Sequence, residues 1–410
     1  MIKLDNLLRY SLYCNAIYIF LLFILRPNGI NFEKLFVSSF LIFSVFGIYT
    51  YVILKWNELK NIPKYFKVLF YLLLLWSGII VVKSFSLSLQ DWVTNFGNVY
   101  MALAWFTPAV MVVGLKVENW KIIKEFVFFS FLLMLFASIL LPFTDDGGKL
   151  ETEWIWLLRP VNVILLLGFS KFKPKYQFLT LIAFSLYIVV IILSEQRVDF
   201  IFIFLIFLFS VINRVRQVKI KKHFFKYSIL TFIVVTVIIF TVGYEHLSLA
   251  VSRIVEFQDS RTFLYQEVLT DLSSNEKLFG KGSLGTYYSD FFERTRRHYV
   301  RIGEIGWAGD SPIRITTEVG YLQMLLKGGY ILLITNILIT LRAAYLGIFK
   351  TKNSFTRKLS FYVLIITILS VISFRPAFTP TFIILWVAIG TILNKKNRAM
   401  NDAEINKMIF

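Results

Sequence analysis

The sequence predicts an all-α, polytopic membrane protein of about twelve transmembrane helices, forming one integral domain over residues 1–410. Its composition is 57% hydrophobic and 18% aromatic, with a mean hydropathy of +0.68, which lies outside the range of soluble domains. Apolar runs of about 17–20 residues, long enough to cross a hydrocarbon core of about 30 Å, recur along the chain. One large polar loop, residues 245–328, interrupts them, and we expect it to contain short surface helices. The runs cover residues 7–25, 36–54, 66–82, 97–115, 126–143, 154–170, 177–194, 198–213, 227–244, 329–348, 358–374 and 377–394.

The net charge of +19 indicates an orientation in the membrane and not a nucleic-acid partner. With the N-terminus inside, 27 Lys and Arg residues fall in inner segments and only six in short outer loops. Cytoplasmic loops of membrane proteins carry such an excess of positive charge, so we expect both termini in the cytoplasm. The single cysteine, Cys14, lies inside the first run and excludes a disulfide framework. No cleaved signal peptide is expected.

The loop at residues 245–328 carries ten Lys and Arg residues between Arg253 and Lys327, on the predicted outer side. Long loops cross the membrane largely regardless of charge, so these cations do not contradict the orientation. Two explanations stay open for them. The cations pair with the carboxylates of the same loop, or they bind an anionic ligand.

Two surface helices and a glycine turn are predicted within this loop. Residues 260–272 place apolar side chains at helical spacing, with Arg261 in the first turn. Residues 278–282, Leu-Phe-Gly-Lys-Gly, predict a tight turn whose backbone approaches another group closely. Residues 312–326 predict the second helix, with Glu318 in its middle. A carboxylate on an otherwise apolar helix is costly without a purpose, which makes Glu318 a candidate functional group.

Two arginines adjoin or interrupt apolar runs. Arg159 lies inside the run at 154–170, where a charge is usually functional or paired, although it could instead reach the outer interface. Arg197 follows a very short polar turn that could aim it into the helix bundle. The alternative for Arg197 is a local ion pair with Glu195 or Asp199.

Arg375 occupies the comparable outer turn between the last two predicted spans. Together with Arg159, Arg197 and Arg261 it would form a ring of guanidinium groups at the outer surface. Such groups bind phosphate oxygens in a bidentate manner, so the ring would suit a diphosphate.

His298 stands among four arginines, which would lower its pKa and allow it to act as a neutral base. The alternative is a solvated surface residue. The other two histidines, His223 and His246, are distant in sequence, so no zinc-ligand spacing exists and we predict no metal and no cofactor.

Three short motifs carry a family resemblance. They are Ser194-Glu195-Gln196-Arg197, Ser260-Arg261 with Leu278-Phe279-Gly280-Lys281-Gly282, and Glu318-Val319-Gly320-Tyr321-Leu322 through Lys327-Gly328-Gly329. With its predicted topology, the chain resembles the O-antigen polymerase and O-antigen ligase superfamily of bacterial inner membranes (Wzy-type). Ligases of that family usually place a histidine near the start of the helix that contains the third motif. Residues 313–318 contain none, which favours a polymerase.

The resemblance implies a GT-C-like fold and a metal-independent glycosyl transfer between undecaprenyl-diphosphate-linked oligosaccharides on the outer (periplasmic) face. Positive charge must stabilise the leaving diphosphate, and a base must activate the acceptor hydroxyl. Glu318 is the candidate base, with His298 in reserve. The candidates for binding the diphosphate are Arg197, Arg261, Arg159, Arg314 and Arg375.

Other functions stay open at this point. A ligase would transfer finished glycan to a lipid or protein acceptor, and the missing histidine is the only sequence feature against it. A flippase or transporter also fits twelve spans, although no internal repeat is detectable. A purely structural assembly protein would need none of these side chains. Expected partners are the lipid-linked oligosaccharides, membrane lipid and a chain-length regulator, with no nucleic acid.

Overall fold

A computed structural model describes residues 3–25, 32–140, 153–168, 171–193, 197–217, 260–294 and 312–409 of the protein. This part is mostly helical, as the sequence predicts. The first helices are α1 (Leu4–Leu25), α2 (Phe32–Leu54), α3 (Lys64–Val82), α4 (Leu89–Gly97), α5 (Ala102–Phe106), α6 (Met111–Gly114), α7 (Trp120–Leu140), α8 (Glu153–Leu158), α9 (Val161–Gly168), α10 (Pro174–Leu193) and α11 (Arg197–Gln217). The later ones are α12 (Ser260–Asp271), α13 (Ser274–Phe279), α14 (Gly320–Phe349), α15 (Ser354–Leu369), α16 (Pro380–Leu393), α17 (Lys395–Ala399) and α18 (Asp402–Ile409).

Within the described residues, four helices are long and apolar enough to cross a membrane. They lie at Leu35–Leu54, Lys64–Val82, Pro174–Ile191 and Gly320–Phe349. The bent pair α4 and α5–α6 adds a fifth if it forms one span. Helices also overlap the other predicted apolar runs, except the run at 227–244, which lies outside the described residues. The described part of the chain is therefore mostly helical with four or five membrane-capable helices, and the count of twelve stays a prediction.

Close helix packing depends on small residues at the contacts. A Cβ atom added to Gly114 of α6 would overlap the carbonyl of Val387 in α16. One added to Gly390 of α16 would overlap the carbonyl of Met111 in α6. Since lipid tails are as apolar as leucine, van der Waals packing of this kind is what holds membrane helices together. The α6–α16 contact is thus encoded by two glycines that face each other's backbone.

Helix α14 is broken near its start. Gly329 has φ of 65° and ψ of −168°, values outside the helical region. The break leaves a short first segment and a longer second one, residues 330–349, which at 1.5 Å per residue is about 30 Å long. The second segment therefore matches the predicted span at 329–348, while the first belongs to the predicted loop.

The predicted surface helix at residues 312–326 is only partly present. Residues 312–319 are not helical, and α14 begins at Gly320. The reason lies in competing hydrogen bonds: Thr317 N donates to the side chain of Gln323 at 2.8 Å, and the Thr317 hydroxyl donates to Val319 O at 2.9 Å. Such local bonds hold the backbone out of a helix. Glu318 therefore precedes α14 and does not lie mid-helix.

The chain divides into two compact units. One consists of residues 1–206, 273–286 and 315–410, and the other of residues 207–272 and 287–314. The predicted loop at 245–328 therefore contributes to both units. The division describes compactness only, and the single integral membrane domain stays a prediction.

In the second unit, α12 packs on a two-stranded antiparallel ladder formed by β1 (Tyr287–Tyr288) and β2 (Ile313–Arg314). The carboxylate of Glu267 in α12 accepts hydrogen bonds from the Ser289 hydroxyl at 2.8 Å and from Phe291 N at 2.7 Å. Helix α12 matches the predicted helix at 260–272, and the prediction of that element is confirmed.

Candidate functional site

An antiparallel bridge joins the segment before α14 to the turn between α15 and α16. Val319 pairs with Phe374, and Gly320 N donates to Ser373 O at 2.8 Å. In an antiparallel register, residues one step either side of a pair also face each other. Glu318 is therefore placed opposite Arg375, although the two are 57 residues apart in the chain.

Arg375 is a half-buried cation with polar and aromatic contacts. Its Nη1 donates to the Thr316 hydroxyl at 3.3 Å, and its Cζ lies 3.5 Å from the centroid of the Tyr100 ring. Among the residues that the structure describes, no carboxylate forms an ion pair with Arg375. Its positive charge is therefore available to an anionic ligand, supported by the ring face beneath it.

Glu318, opposite Arg375, is exposed. In the described part of the chain it forms no ion pair, and no described group hydrogen-bonds its side chain. The sequence places this carboxylate on a surface helix; the structure places it on the extended segment just before α14. An exposed carboxylate of this kind can accept a proton from a bound hydroxyl.

Arg159 is paired inside the protein. It lies at the break between α8 and α9, where its Nε and Nη2 donate to Oδ1 and Oδ2 of Asp199, each at 2.8 Å. The Tyr187 hydroxyl donates to the same carboxylate at 2.5 Å. The side chains of Arg159 and Asp199 are 12% and 1% exposed, so the paired interpretation of Arg159 is confirmed. Binding of a diphosphate by Arg159 stays a prediction.

Phe374 connects the two arginines. Its ring lies under Arg159, with 4.4 Å from the guanidinium carbon to the ring centroid, and packs edge-on against Phe202. The backbone of Phe374 has φ of 55°, a left-handed conformation that is rare for a bulky residue. Strain of this kind persists where the surroundings fix the residue, and here Arg159 and Val319 do so. The next residue in the chain is Arg375.

A narrow apolar cleft opens beside this turn. Pro376, adjacent to Arg375, is one of its lining residues, and helices α5, α14, α15 and α16 supply most of the rest. Trp105 in the lining is 3% exposed, and its indole Nε1 has no hydrogen-bond partner among the described residues. The half-buried Asn336 also lies in the lining. The lining of the cleft is therefore mainly apolar, with a few polar groups among the apolar side chains.

The glycine turn at residues 280–282 packs on the backbone of α14. Lys281 N donates to Leu326 O at 2.8 Å, and Gly282 N donates to Lys327 O at 3.0 Å. Gly280 has φ of 68°, and a Cβ there would overlap the Lys327 carbonyl. The prediction of a close backbone approach is confirmed, and the partner is the protein itself.

Lys327 is a candidate functional residue that the sequence pattern does not single out. It is 0% exposed, and its ammonium donates to the carbonyls of Ser283 and Gly285, each at 2.7 Å. Lys83 adds a bond from its ammonium to Gly280 O at 2.7 Å. The available signal in the sequence is a lysine in the apolar stretch before Gly328, but the sequence does not show that this lysine is buried.

Two predicted diphosphate ligands belong to the second unit. Arg261 lies in the first turn of α12, as expected. Arg314 lies on β2, with its guanidinium carbon 4.3 Å from the centroid of the Phe292 ring. Both remain candidates.

His298 falls in residues 295–311, outside the described residues. Arg197 is the first residue of α11, but its side chain and the predicted turn at residues 194–196 lie outside the described residues. The roles predicted for these two residues stay predictions. Among the described residues, no group of three His, Cys, Asp or Glu side chains could hold a metal ion.

Comparison with known proteins does not identify this chain. No protein-family model matches it, and no curated protein matches it significantly.

Proposed function

We propose that this protein polymerises undecaprenyl-diphosphate-linked oligosaccharide repeat units on the outer face of a bacterial inner membrane. One observation supports the proposal: Glu318 lies opposite Arg375 next to the antiparallel Val319–Phe374 bridge, beside an apolar cleft. Such a transfer needs a base, a cation without a carboxylate partner and a cleft that binds a lipid chain.

The proposed reaction is a displacement at the anomeric carbon of the donor glycan. Glu318 accepts the proton of the acceptor hydroxyl while the hydroxyl oxygen forms a bond to that carbon. The bond from the anomeric carbon to the diphosphate oxygen breaks, and the electron pair leaves with the lipid diphosphate. Arg375 stabilises the charge that develops on the leaving group.

The cleft is proposed to hold the part of the lipid chain nearest the diphosphate. Its lining residue Pro376 is next to Arg375, so a chain in the cleft would bring its head group to the guanidinium. Arg159 acts indirectly in this proposal. Asp199 neutralises its charge, and its guanidinium packs on the Phe374 ring and holds Phe374 in place. Arg197, Arg261 and Arg314 stay candidate diphosphate ligands, as the sequence predicts, and His298 stays the reserve base.

The topology proposed with this function has twelve spans, both termini in the cytoplasm and residues 245–328 outside. The large excess of Lys and Arg in the predicted inner segments supports it. The enzyme is proposed to work without a metal, since guanidinium groups can supply the positive charge.

The test is to size lipid-linked glycans in a deletion strain that carries the wild-type chain or a variant. Glu318→Gln and Arg375→Gln should each leave single repeat units, with protein still present in the membrane. Glu118→Gln removes an exposed carboxylate elsewhere on the first unit and should leave chain length unchanged. Normal chain length in Glu318→Gln would contradict the base assignment.

The deletion strain and a reconstitution assay together separate the rival functions. Long lipid-linked polymer in the deletion strain would indicate a ligase. Reconstituted protein that moves substrate across vesicles without lengthening glycans would indicate a flippase. Unchanged glycans in the deletion strain would contradict all three.

A further inference from the structure

Helix α4 has its two faces reversed relative to a surface helix of a soluble protein, whose apolar stripe faces the core. Its apolar side chains recur at i, i+3, i+4 and i+7 and share one face: Leu89, Trp92, Val93 and Phe96. Leu89 is 74% exposed, and Trp92 and Phe96 are also exposed. On the opposite face, Asn95 is buried. The helix therefore turns its apolar face away from the protein and a polar residue towards it.

The buried polar face of α4 contacts the chain that follows the glycine turn. The Ser283 hydroxyl donates to Asn95 Oδ1 at 2.5 Å. Ser283 N donates to Ile80 O of α3 at 2.9 Å, and Leu284 N donates to the Ser84 hydroxyl, between α3 and α4, at 2.8 Å. The orientation of α4 is therefore fixed by hydrogen bonds on its polar side, which leaves the apolar side outward.

The exposed apolar face of α4 continues into the turn before it and along α3. Leu87 in that turn is 97% exposed, and Phe85 is exposed beside it. Val82 and Leu75, which lie seven residues apart and so share one face of α3, are exposed as well. Helix α3 is long and apolar enough to cross a membrane. The outward face of such a helix meets lipid, so the apolar face of α4 extends a lipid-facing surface.

The aromatic residues of this surface suit the boundary between lipid and water. The Trp92 indole Nε1 donates to Ser86 O at 2.9 Å. The Trp92 ring stacks on Phe96 and meets Phe85 edge-on, with 5.4 and 5.5 Å between ring centroids. The polar atom of the indole is thus satisfied while the three rings stay exposed. Tryptophan is enriched at membrane–water interfaces because its ring is apolar and its N–H is polar.

The polar residues of α4 argue against a position within the hydrocarbon core. Asp91 is the only charged residue of the helix, and its carboxylate accepts from the Ser86 hydroxyl at 2.5 Å. Gln90 is exposed on the same polar side. A carboxylate in the core of a bilayer is costly, whereas a helix with one apolar and one polar face can lie in the interface plane. Helix α4 is also bent by 44° from the segment that contains α5 and α6.

We propose that the apolar face of α4, together with Phe85 and Leu87, inserts into the interfacial layer of the bilayer, so that α4 lies along the membrane surface and is not part of a span. The positive-inside pattern predicts that this end of α3 is on the outer side. Because the other face of α4 binds Ser283, the insertion holds the glycine-turn segment at the outer membrane surface. This inference does not depend on the glycosyl transfer proposed above.

The test measures membrane depth with a spin label on single cysteines of the full chain in phosphatidylcholine vesicles. Cys14→Ala first removes the one native thiol. Leu87→Cys and Leu89→Cys place the label on the apolar face, and Gln90→Cys is the matched control on the neighbouring polar side. Leu75→Cys gives the reference for the hydrocarbon core. Collisions of the label with oxygen, which concentrates in lipid, and with a nickel chelate, which stays in water, report the depth.

The labels at residues 87 and 89 should lie about 5–10 Å below the head groups. Their ratio of oxygen to nickel collisions should be several-fold higher than at residue 90 and clearly lower than at residue 75. Nickel access at residue 89 equal to that at residue 90 would mean that the face meets water. A depth at residue 89 equal to that at residue 75 would make α4 part of a span. Exclusion of both reagents would mean that protein covers the face, from this chain or a second copy. Each of these three results would overturn the proposal.

Discussion

Arg159 and Asp199 form a bidentate ion pair inside the helix bundle, with both guanidinium–carboxylate distances at 2.8 Å. Tyr187 satisfies the same carboxylate, and the Phe374 ring lies on the guanidinium. The pair therefore fixes the turn that carries Arg375. An ion pair that stabilises the fold is thus connected to the candidate site.

Replacement of Asp199 by asparagine should destabilise the protein by about 3–5 kcal/mol, because it leaves the Arg159 charge buried and uncompensated. Unfolding in detergent measures the effect. The double variant Arg159→Met with Asp199→Leu should recover most of the loss, since it removes both charges. Equal stability of Asp199→Asn and wild type would show that the pair is not needed.

Gly280→Ala and Gly329→Ala should each destabilise the protein by more than about 2 kcal/mol. Both glycines combine a positive φ with an extended ψ, a region that costs other residues about 1–3 kcal/mol, and a Cβ would also overlap backbone atoms. Gly78→Ala is the matched control. No atom lies within 4 Å of a Cβ at Gly78, which is mid-helix, so alanine should stabilise by up to about 1 kcal/mol. Opposite signs in unfolding experiments are the expected result.

Lys327→Met should loosen the glycine turn without abolishing the fold. The ammonium holds the carbonyls of Ser283 and Gly285, and methionine fills similar space without donating to either. Hydrogen exchange of residues 280–286 should become faster by about tenfold or more, while Lys277→Met should leave it unchanged. Unchanged exchange in Lys327→Met would mean that the backbone bonds to α14 suffice alone.

Arg197→Ala and Arg261→Ala should each abolish polymerisation while the protein stays in the membrane. Each would remove a guanidinium proposed to bind the leaving diphosphate, where such groups contribute most. Lys277→Ala, which removes a cation from the helix after α12, should leave glycan length normal. Normal glycan length in either arginine variant would exclude that residue from the diphosphate site.

Local sequence pattern was sufficient for most helices and for the glycine turn. Apolar runs predict helices because a helix satisfies its own backbone hydrogen bonds within the segment. The failed helix at 312–319 shows the limit. There, Thr317 bonds to Gln323 and Val319 pairs with Phe374, contacts that periodicity cannot reveal. Tertiary partners outweighed the local preference.

For the candidate site, the sequence could name Arg375 and Glu318 as unusual but could not place them opposite each other. Their proximity depends on a bridge between segments separated by more than fifty residues. Nor could it distinguish Arg159, whose charge is neutralised, from Arg375, which no described carboxylate neutralises.

The sequence by itself determined the helical class, the charge asymmetry and the positions of most helices, because each follows from composition over a short stretch. Only the tertiary structure decided which buried cations have partners. Pairing is a property of distance in space: Asp199 reaches Arg159 across forty residues of chain, while no carboxylate in the described part of the chain forms an ion pair with Arg375.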